Sequence, residues 1–182
     1  MILPIYTYGE KILSTKGEKV EKDYKDLKDL LDNMFETMHQ AGGIGLAAQQ
    51  VGLALQLFVI DLTGYKGLDP KLELFKKVFI NSEILELEDD EFESEEGCLS
   101  VPLIKLKVKR PSRVKLKYLN HNFDPIEEWF DGLAARCILH EFDHTQGKTL
   151  VNHMSPLKKN LLKSKLQTIL KKNFNSNYKI KI

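Results

Sequence analysis

The chain is poor in cysteine: Cys98 and Cys137 are the only two in 182 residues. Two are too few for a disulfide framework, and a chain of this length buries enough surface to fold without one. It also has no long apolar run. Nothing approaches the roughly 18 consecutive apolar residues of a membrane-spanning helix. The opening Met1-Ile-Leu-Pro-Ile-Tyr6 has neither the basic start nor the apolar stretch of a secretory leader. A reducing cytoplasm is the expected location, with no membrane contact. No repeat or low-complexity linker interrupts the chain, so one domain over residues 1–182 is expected.

What is present suits a soluble globular protein: 42% of residues are hydrophobic and 29% charged. The net charge of +1 argues neither for nor against nucleic acid, and no specific DNA contact is expected. The charges are unevenly placed. Nine acids and no base fall between Glu83 and Glu96, and nine lysines and no acid between Thr145 and Ile182. Both runs read as solvated faces.

Asp23 to Gln40 reads as a helix, because Leu27, Leu30, Leu31, Met34, Phe35 and Met38 recur at three- and four-residue spacing before Gly42-Gly43 stops it. Gly43 to Gln50 is rich in small residues and reads as a loop. Leu53–Leu62, Val78–Leu87 and Val114–Leu119 read as strands, and Phe123–Phe130 is compatible with another. Asp131 to Gln146 reads as a helix, with Asp131 as its cap and Gly147 as its terminator. Ser155-Pro156 opens a third helix, the basic one at about 155–173, with an apolar stripe of Leu157, Leu161, Leu162, Leu166, Ile169 and Leu170. The tail beyond Asn173 is expected to be loose or a short strand. Strands cluster in the middle and helices lie apart, which makes the class α+β.

His140-Glu-Phe-Asp-His144 is the most informative stretch. On a helix, residues four apart share a face with Cβ atoms about 5–6 Å apart. Two imidazoles so placed can bind one metal at about 2.1 Å. Glu141 is rotated by about 100° from His140, so it can serve a metal-bound water without becoming a ligand. Two histidines on a helix surface are the plainer reading. A hydrolytic metal needs a third protein ligand and an open position. No Asp or Glu follows Asp143, which removes the downstream carboxylate that many metalloproteases use. The pattern with a third histidine requires one where Leu150 stands, and His153 comes three residues too late. Cys137 lies a full turn before His140, out of reach, and reads as a core residue. The third ligand is therefore expected upstream. Cys98, in Glu95-Glu-Gly-Cys-Leu-Ser-Val-Pro102, is the best candidate, with Gly97 freeing the backbone to approach; an ordinary buried thiol is the alternative.

Three segments together resemble the signature motifs of peptide deformylases. They are Gly43-Ile-Gly-Leu-Ala-Ala-Gln-Gln50, Glu96-Gly-Cys-Leu-Ser100, and His140-Glu-Phe-Asp-His144 with Gly147, and the likeness spans roughly residues 1–165. The resemblance implies a single α+β domain in which antiparallel sheets enclose a metal-binding helix. It implies that Cys98, His140 and His144 hold one divalent ion, with Glu141 as general base and acid. Gln50 and the Leu99 backbone N–H would stabilise the oxyanion. Gly43, Ile44, Gly45 and Gly97 would line the substrate cleft, and Leu133 and Cys137 the pocket for a methionine side chain. The reaction implied is removal of the formyl group from N-formylmethionyl nascent chains, with formate released. A thiolate ligand admits zinc or ferrous iron; the resemblance favours ferrous iron in the cell, with nickel or cobalt able to occupy purified protein. A ribosome contact through the basic C-terminal helix is a further expectation. Four positions depart from the family pattern: Leu139 for Gln, Thr145 for Leu, and Leu103 and Lys105 where Gly and a cleft Arg are frequent. The rival readings are a metallopeptidase of the His-Glu-x-x-His type, a structural zinc domain and an inactive homologue.

Overall fold

The computed structural model of the chain describes residues 1–88 and 90–182. Two antiparallel sheets carry the fold. The larger has five strands: β1 (Gly45–Ala47), β2 (Leu57–Asp61), β3 (Lys76–Leu87), β6 (Arg113–Leu119) and β7 (Pro125–Asp131), in that spatial order. The smaller is a hairpin of β4 (Glu91–Gly97) and β5 (Lys105–Pro111). Between the two sheets runs α2 (Gly132–Thr145), in contact with β1, β2, β5, β6 and β7. The α+β class and the enclosed central helix are as expected. No helix among the described residues is long and apolar enough to cross a membrane.

The burial of β2 follows from its position between two helices. Phe58 and Ile60 face α2 in one core, with Phe79, Tyr118, Phe130, Ile138 and Leu139. Leu57 and Val59 face the other way, onto Leu31, Met34 and Met38 of α1 (Leu27–Gln40). Alternate side chains of a strand point to opposite faces, so a strand covered on both faces reads as a continuous apolar run. Rings of Phe58 and Phe79 stack at 4.7 Å and those of Phe79 and Tyr118 meet at 4.6 Å. Each such pair adds about 0.5–1.5 kcal/mol beyond its buried area. A third core packs Leu166 and Ile169 against Val101, Ile104, Leu106 and Val108, behind the hairpin.

Several boundaries differ from the sequence reading. The first helix begins at Leu27 rather than Asp23, because Asp26 sits in the left-handed region at φ +59°. Gly43–Gln50 is not all loop. Gly45–Ala47 pairs with Phe58–Ile60 as β1, and Ala48–Val51 forms a 3-10 turn. The second strand starts at Leu57, not Leu53. Asp131 stands at the helix N-cap but its side chain makes no capping bond; its carboxylate lies 3.8 Å from Lys71. Gly147 does end α2: its φ is +71°, and a Cβ there would lie 2.8 Å from the Ser14 carbonyl oxygen. The basic C-terminal helix is two short ones, α3 (Pro156–Leu161) and α4 (Lys163–Leu170). Ser155 caps the first through a 3.2 Å bond from Lys158 N–H. Its apolar stripe is only half used, for Leu166 and Ile169 are buried while Leu157 and Leu161 are about 70% exposed. The tail makes a bridge between Ile180 and Ile5.

Most of the described acids of the run are exposed, as a solvated face requires, and several stand opposite lysines across the strands. Glu83 and Glu86 stand opposite Lys117 and Lys115, and Glu93 and Glu95 opposite Lys109 and Lys107. Glu96 is the exception, because it is buried. Its register fits that fate: β5 alternates exposed Lys105, Lys107 and Lys109 with buried Leu106, Val108 and Arg110, and Glu96 pairs with Leu106.

Candidate metal centre and catalytic cleft

A cleft of about 760 Å³ opens between β1, the Glu95–Lys105 segment and α2. Gly43, Ile44, Gly45, Gln50, Gly97, Cys98, Leu99, Leu133, Cys137, His140 and Glu141 all line it, so eleven of the twelve expected site residues meet in one place. The twelfth, His144, is buried behind them, its Nε2 3.3 Å from Cys98 Sγ.

The helical spacing of His140 and His144 brings their rings to 5.3 Å between centroids. Cys98 reaches them from the end of the hairpin, and one donor atom from each of the three lies within 4.8 Å of the others. One thiol and two imidazoles are a donor set for a borderline or soft divalent ion, and three protein ligands leave a position open. Burial alone would raise the Cys98 thiol. The charge of His144 and hydrogen bonds from His140 and His144 outweigh it and bring the group to about 5, in the thiolate form that a ligand needs. Glu96 orients the first histidine. His140 Nδ1 lies 2.9 Å from Glu96 Oε2, which leaves Nε2 as the remaining donor of the ring. The residues present therefore fit a divalent ion. Cys137 stays apart: it is buried, its thiol is raised well above the usual range by burial and by the charge of Glu141, and it takes no part in the cluster.

Glu141 follows His140 on the helix and is buried, with Oε2 free of any partner among the described residues. Burial lifts its carboxyl to about 7 against the opposing pull of His140 and His144. A cation at the site would favour the charged form. Gly45 makes room for it, because a Cβ at that position would lie 2.8 Å from Glu141 Cγ. On the facing wall, Gln50 Oε1 accepts the Ala47 N–H at 2.8 Å. That fixes the amide with Nε2 toward Cys98 Sγ at 3.6 Å and Ser100 Oγ at 3.2 Å. Gly97 lines the cleft, and among the described residues no atom lies within 4 Å of where its Cβ would be, so that position faces open space.

The residues that sequence reasoning missed form a buried charge network. Glu96 accepts from Arg110 Nε at 2.7 Å, Arg110 Nη2 at 3.0 Å and Arg136 Nη1 at 2.6 Å. Although burial opposes ionisation, bonds from His140 and Arg110 hold its carboxyl down at about 2. Arg110 continues to Asp143 at 2.9 Å, which also meets His153 at 2.8 Å. Arg110 shares the phase of Leu106 and Val108, and an inward arginine demands a buried acid; that alternation was the available signal. Of the departures from the family pattern, Leu139 and Thr145 are buried in α2, and Leu103 and Lys105 line the cleft. Leu139 packs in the core, and Thr145 Oγ1 bonds the Phe142 carbonyl at 2.7 Å. Lys105 pairs with Glu95 on the rim at 3.2 Å. Leu103 has φ +67°, the region that favours the glycine often found there.

Comparison with known proteins agrees with this geometry. The polypeptide deformylase family model matches residues 2–160. Peptide deformylase of Cytophaga hutchinsonii is 42% identical over 181 residues, covering 100% of this chain and 97% of that protein. That of Christiangramia forsetii is 41% identical over 189 residues, covering 100% and 96%. The crystal structure of a peptide deformylase from Legionella pneumophila superposes with a TM-score of 0.84 at 37% identity, over 95% of this chain and 98% of that one. One from Ehrlichia chaffeensis in complex with actinonin gives 0.82 at 32% identity, over 96% and 99%. The metallopeptidase and structural-zinc readings thus give way, and the chain belongs to the peptide deformylase family, metal-dependent hydrolases that remove the N-formyl group from newly made proteins.

Proposed function

We propose that Cys98, His140 and His144 hold one divalent ion, ferrous iron in the cell, and that Glu141, Gln50 and the Leu99 N–H carry out deformylation around it. The observation that carries this reading is the meeting of three metal donors with Glu141 on one wall of the cleft and the oriented Gln50 amide on the other. A divalent ion held there supplies Lewis acidity, which lowers the pKa of a water and polarises a carbonyl. Glu141 takes the proton of the attacking water and returns it to the departing amine, so that formate and a free N-terminus result. Gln50 Nε2 and the Leu99 N–H donate to the formyl oxygen as charge develops on it. Gly43, Ile44, Gly45 and Gly97 admit the backbone of the substrate, and close backbone approach at Gly43 and Gly45 favours formyl over larger acyl groups. Leu133 and Cys137 receive the methionine side chain. The enzyme acts in the cytoplasm.

Formate release from a formyl-methionyl tripeptide, beside its acetyl counterpart, tests the reading. Turnover of the first and not the second is expected, and actinonin, bound by the Ehrlichia relative, should compete. Equal hydrolysis of both, or of neither by metal-loaded protein, overturns it.

A further inference from the structure

The family match ends at residue 160, yet the chain beyond it returns to the turn that carries Cys98. Phe174 packs against the third core. Ser176 Oγ accepts the Tyr178 N–H at 3.2 Å and donates to the Tyr178 carbonyl at 2.8 Å, which sets the local backbone. The next residues are tied to the buried Ile5: its N–H donates to the Lys179 carbonyl at 2.9 Å, and its carbonyl accepts from Lys181 N–H at 2.8 Å. Held on both sides, Tyr178 donates its hydroxyl to the Leu99 carbonyl at 2.6 Å. Burial lifts the phenol to about 12, so it remains a donor at neutral pH.

Leu99 is the second residue of a turn closed by a 2.9 Å bond from Val101 N–H to the Cys98 carbonyl. In such a turn the middle peptide is the unit whose flip interconverts turn types, and its carbonyl belongs to the second residue. The hydroxyl of Tyr178 therefore grips the one peptide of the turn that the closing bond leaves able to rotate. The following carbonyl, of Ser100, is held by the Tyr8 N–H at 2.8 Å. Both chain ends thus converge on four residues that include Cys98 and Leu99.

We propose that Tyr178 is a positioning residue: by holding the Leu99 carbonyl it fixes the turn that presents Cys98 and the Leu99 N–H, which makes the C-terminal segment part of the catalytic apparatus. This rests on the site assignment above. It does not act on substrate itself.

The test uses the full-length, nickel-loaded protein and Tyr178→Phe, which removes one hydroxyl and keeps the ring. Lys172→Ala is the control, since it breaks the 2.6 Å pair with Glu10 in the same region without touching the turn. In Tyr178→Phe, kcat for a formyl-methionyl tripeptide should fall about 3- to 10-fold, the scale of one neutral hydrogen bond, with KM little changed. Amide exchange at Ser100 and Val101 should quicken while the melting temperature stays near that of the parent. Lys172→Ala should match the parent in kcat and in exchange at the turn. Parent-like exchange at the turn in Tyr178→Phe overturns the proposal, whatever happens to kcat. So does a loss of kcat that follows melting temperature equally in both variants. Failure of the parent to release formate would sink the site assignment instead, and the exchange comparison would still decide whether Tyr178 holds the turn.

Discussion

Glu96 Oε2 lies 2.9 Å from Nδ1 of His140, and the same carboxylate is gripped by Arg110 and Arg136. An ionised carboxylate can only accept, so the imidazole proton sits on Nδ1 and Nε2 keeps its lone pair for an ion. One buried acid thus orients the proposed ligand His140 and joins the hairpin to α2. Glu96→Gln should weaken metal affinity about 10- to 100-fold, the usual effect of disturbing a partner behind a ligand. It also leaves the buried Arg136 without its acidic partner, while Arg110 keeps Asp143; breaking a buried pair in this way commonly costs roughly 3–5 kcal/mol. Metal titration and denaturant melts measure the two effects separately. Parent-like values in both would show the network to be dispensable.

Glu141→Ala should keep stoichiometric metal and lose the chemistry. Removal of a general acid–base commonly costs about 10²–10⁴ in rate. Metal analysis beside formate release checks both halves, and near-normal turnover would remove Glu141 from the mechanism.

Gly45→Ala introduces a methyl that would lie 2.8 Å from Glu141 Cγ. The carboxylate must move, and a shift of about 1 Å at a catalytic group can cost on the order of 10²-fold in rate. The expected signature is low kcat with metal content retained. Full activity would mean that β1 yields instead.

The two cysteines should separate cleanly. Cys98→Ser exchanges a thiolate for a neutral hydroxyl and should lose metal on dialysis. Cys137→Ser should retain it, since Cys137 stands outside the donor cluster. Ferrous protein should lose activity in air and hold it under nitrogen, because both the iron and the Cys98 thiolate oxidise; nickel-loaded protein should survive air. Firm metal retention by Cys98→Ser, together with loss from Cys137→Ser, would reverse the ligand choice.

On the surface, α3 and α4 carry lysines that no acid of that region offsets, beside the exposed Leu157 and Leu161. We expect them to meet ribosomal RNA, where the substrate emerges. Replacing Lys158, Lys159 and Lys163 with Glu should abolish co-sedimentation with ribosomes at low salt and leave formate release from a free peptide unchanged. Unaltered co-sedimentation would refute the contact.

The chain spells out those parts of the site that are local. A spacing of four on a helix is enough to bring His140 and His144 together, and Glu141 beside them follows from the pitch. The apolar periods of α1 and α2 and the alternation of β3 and β6 are likewise written residue by residue. The partners of those elements depend on the fold. Nine acids and no base fall between Glu83 and Glu96, and nothing local distinguishes the last from the others. Only the laying of the β4–β5 hairpin over α2 buries it between Arg110, Arg136 and His140. Gly45–Ala47 is a strand because β2 offers it a free edge, since small residues carry little β preference of their own. The helix broken at Leu162 and the reach of Tyr178 to Leu99 have the same origin. Hydrogen bonds and ion pairs between residues dozens of positions apart depend on which surfaces the folded chain brings together, and a linear pattern records only the surface each residue prefers.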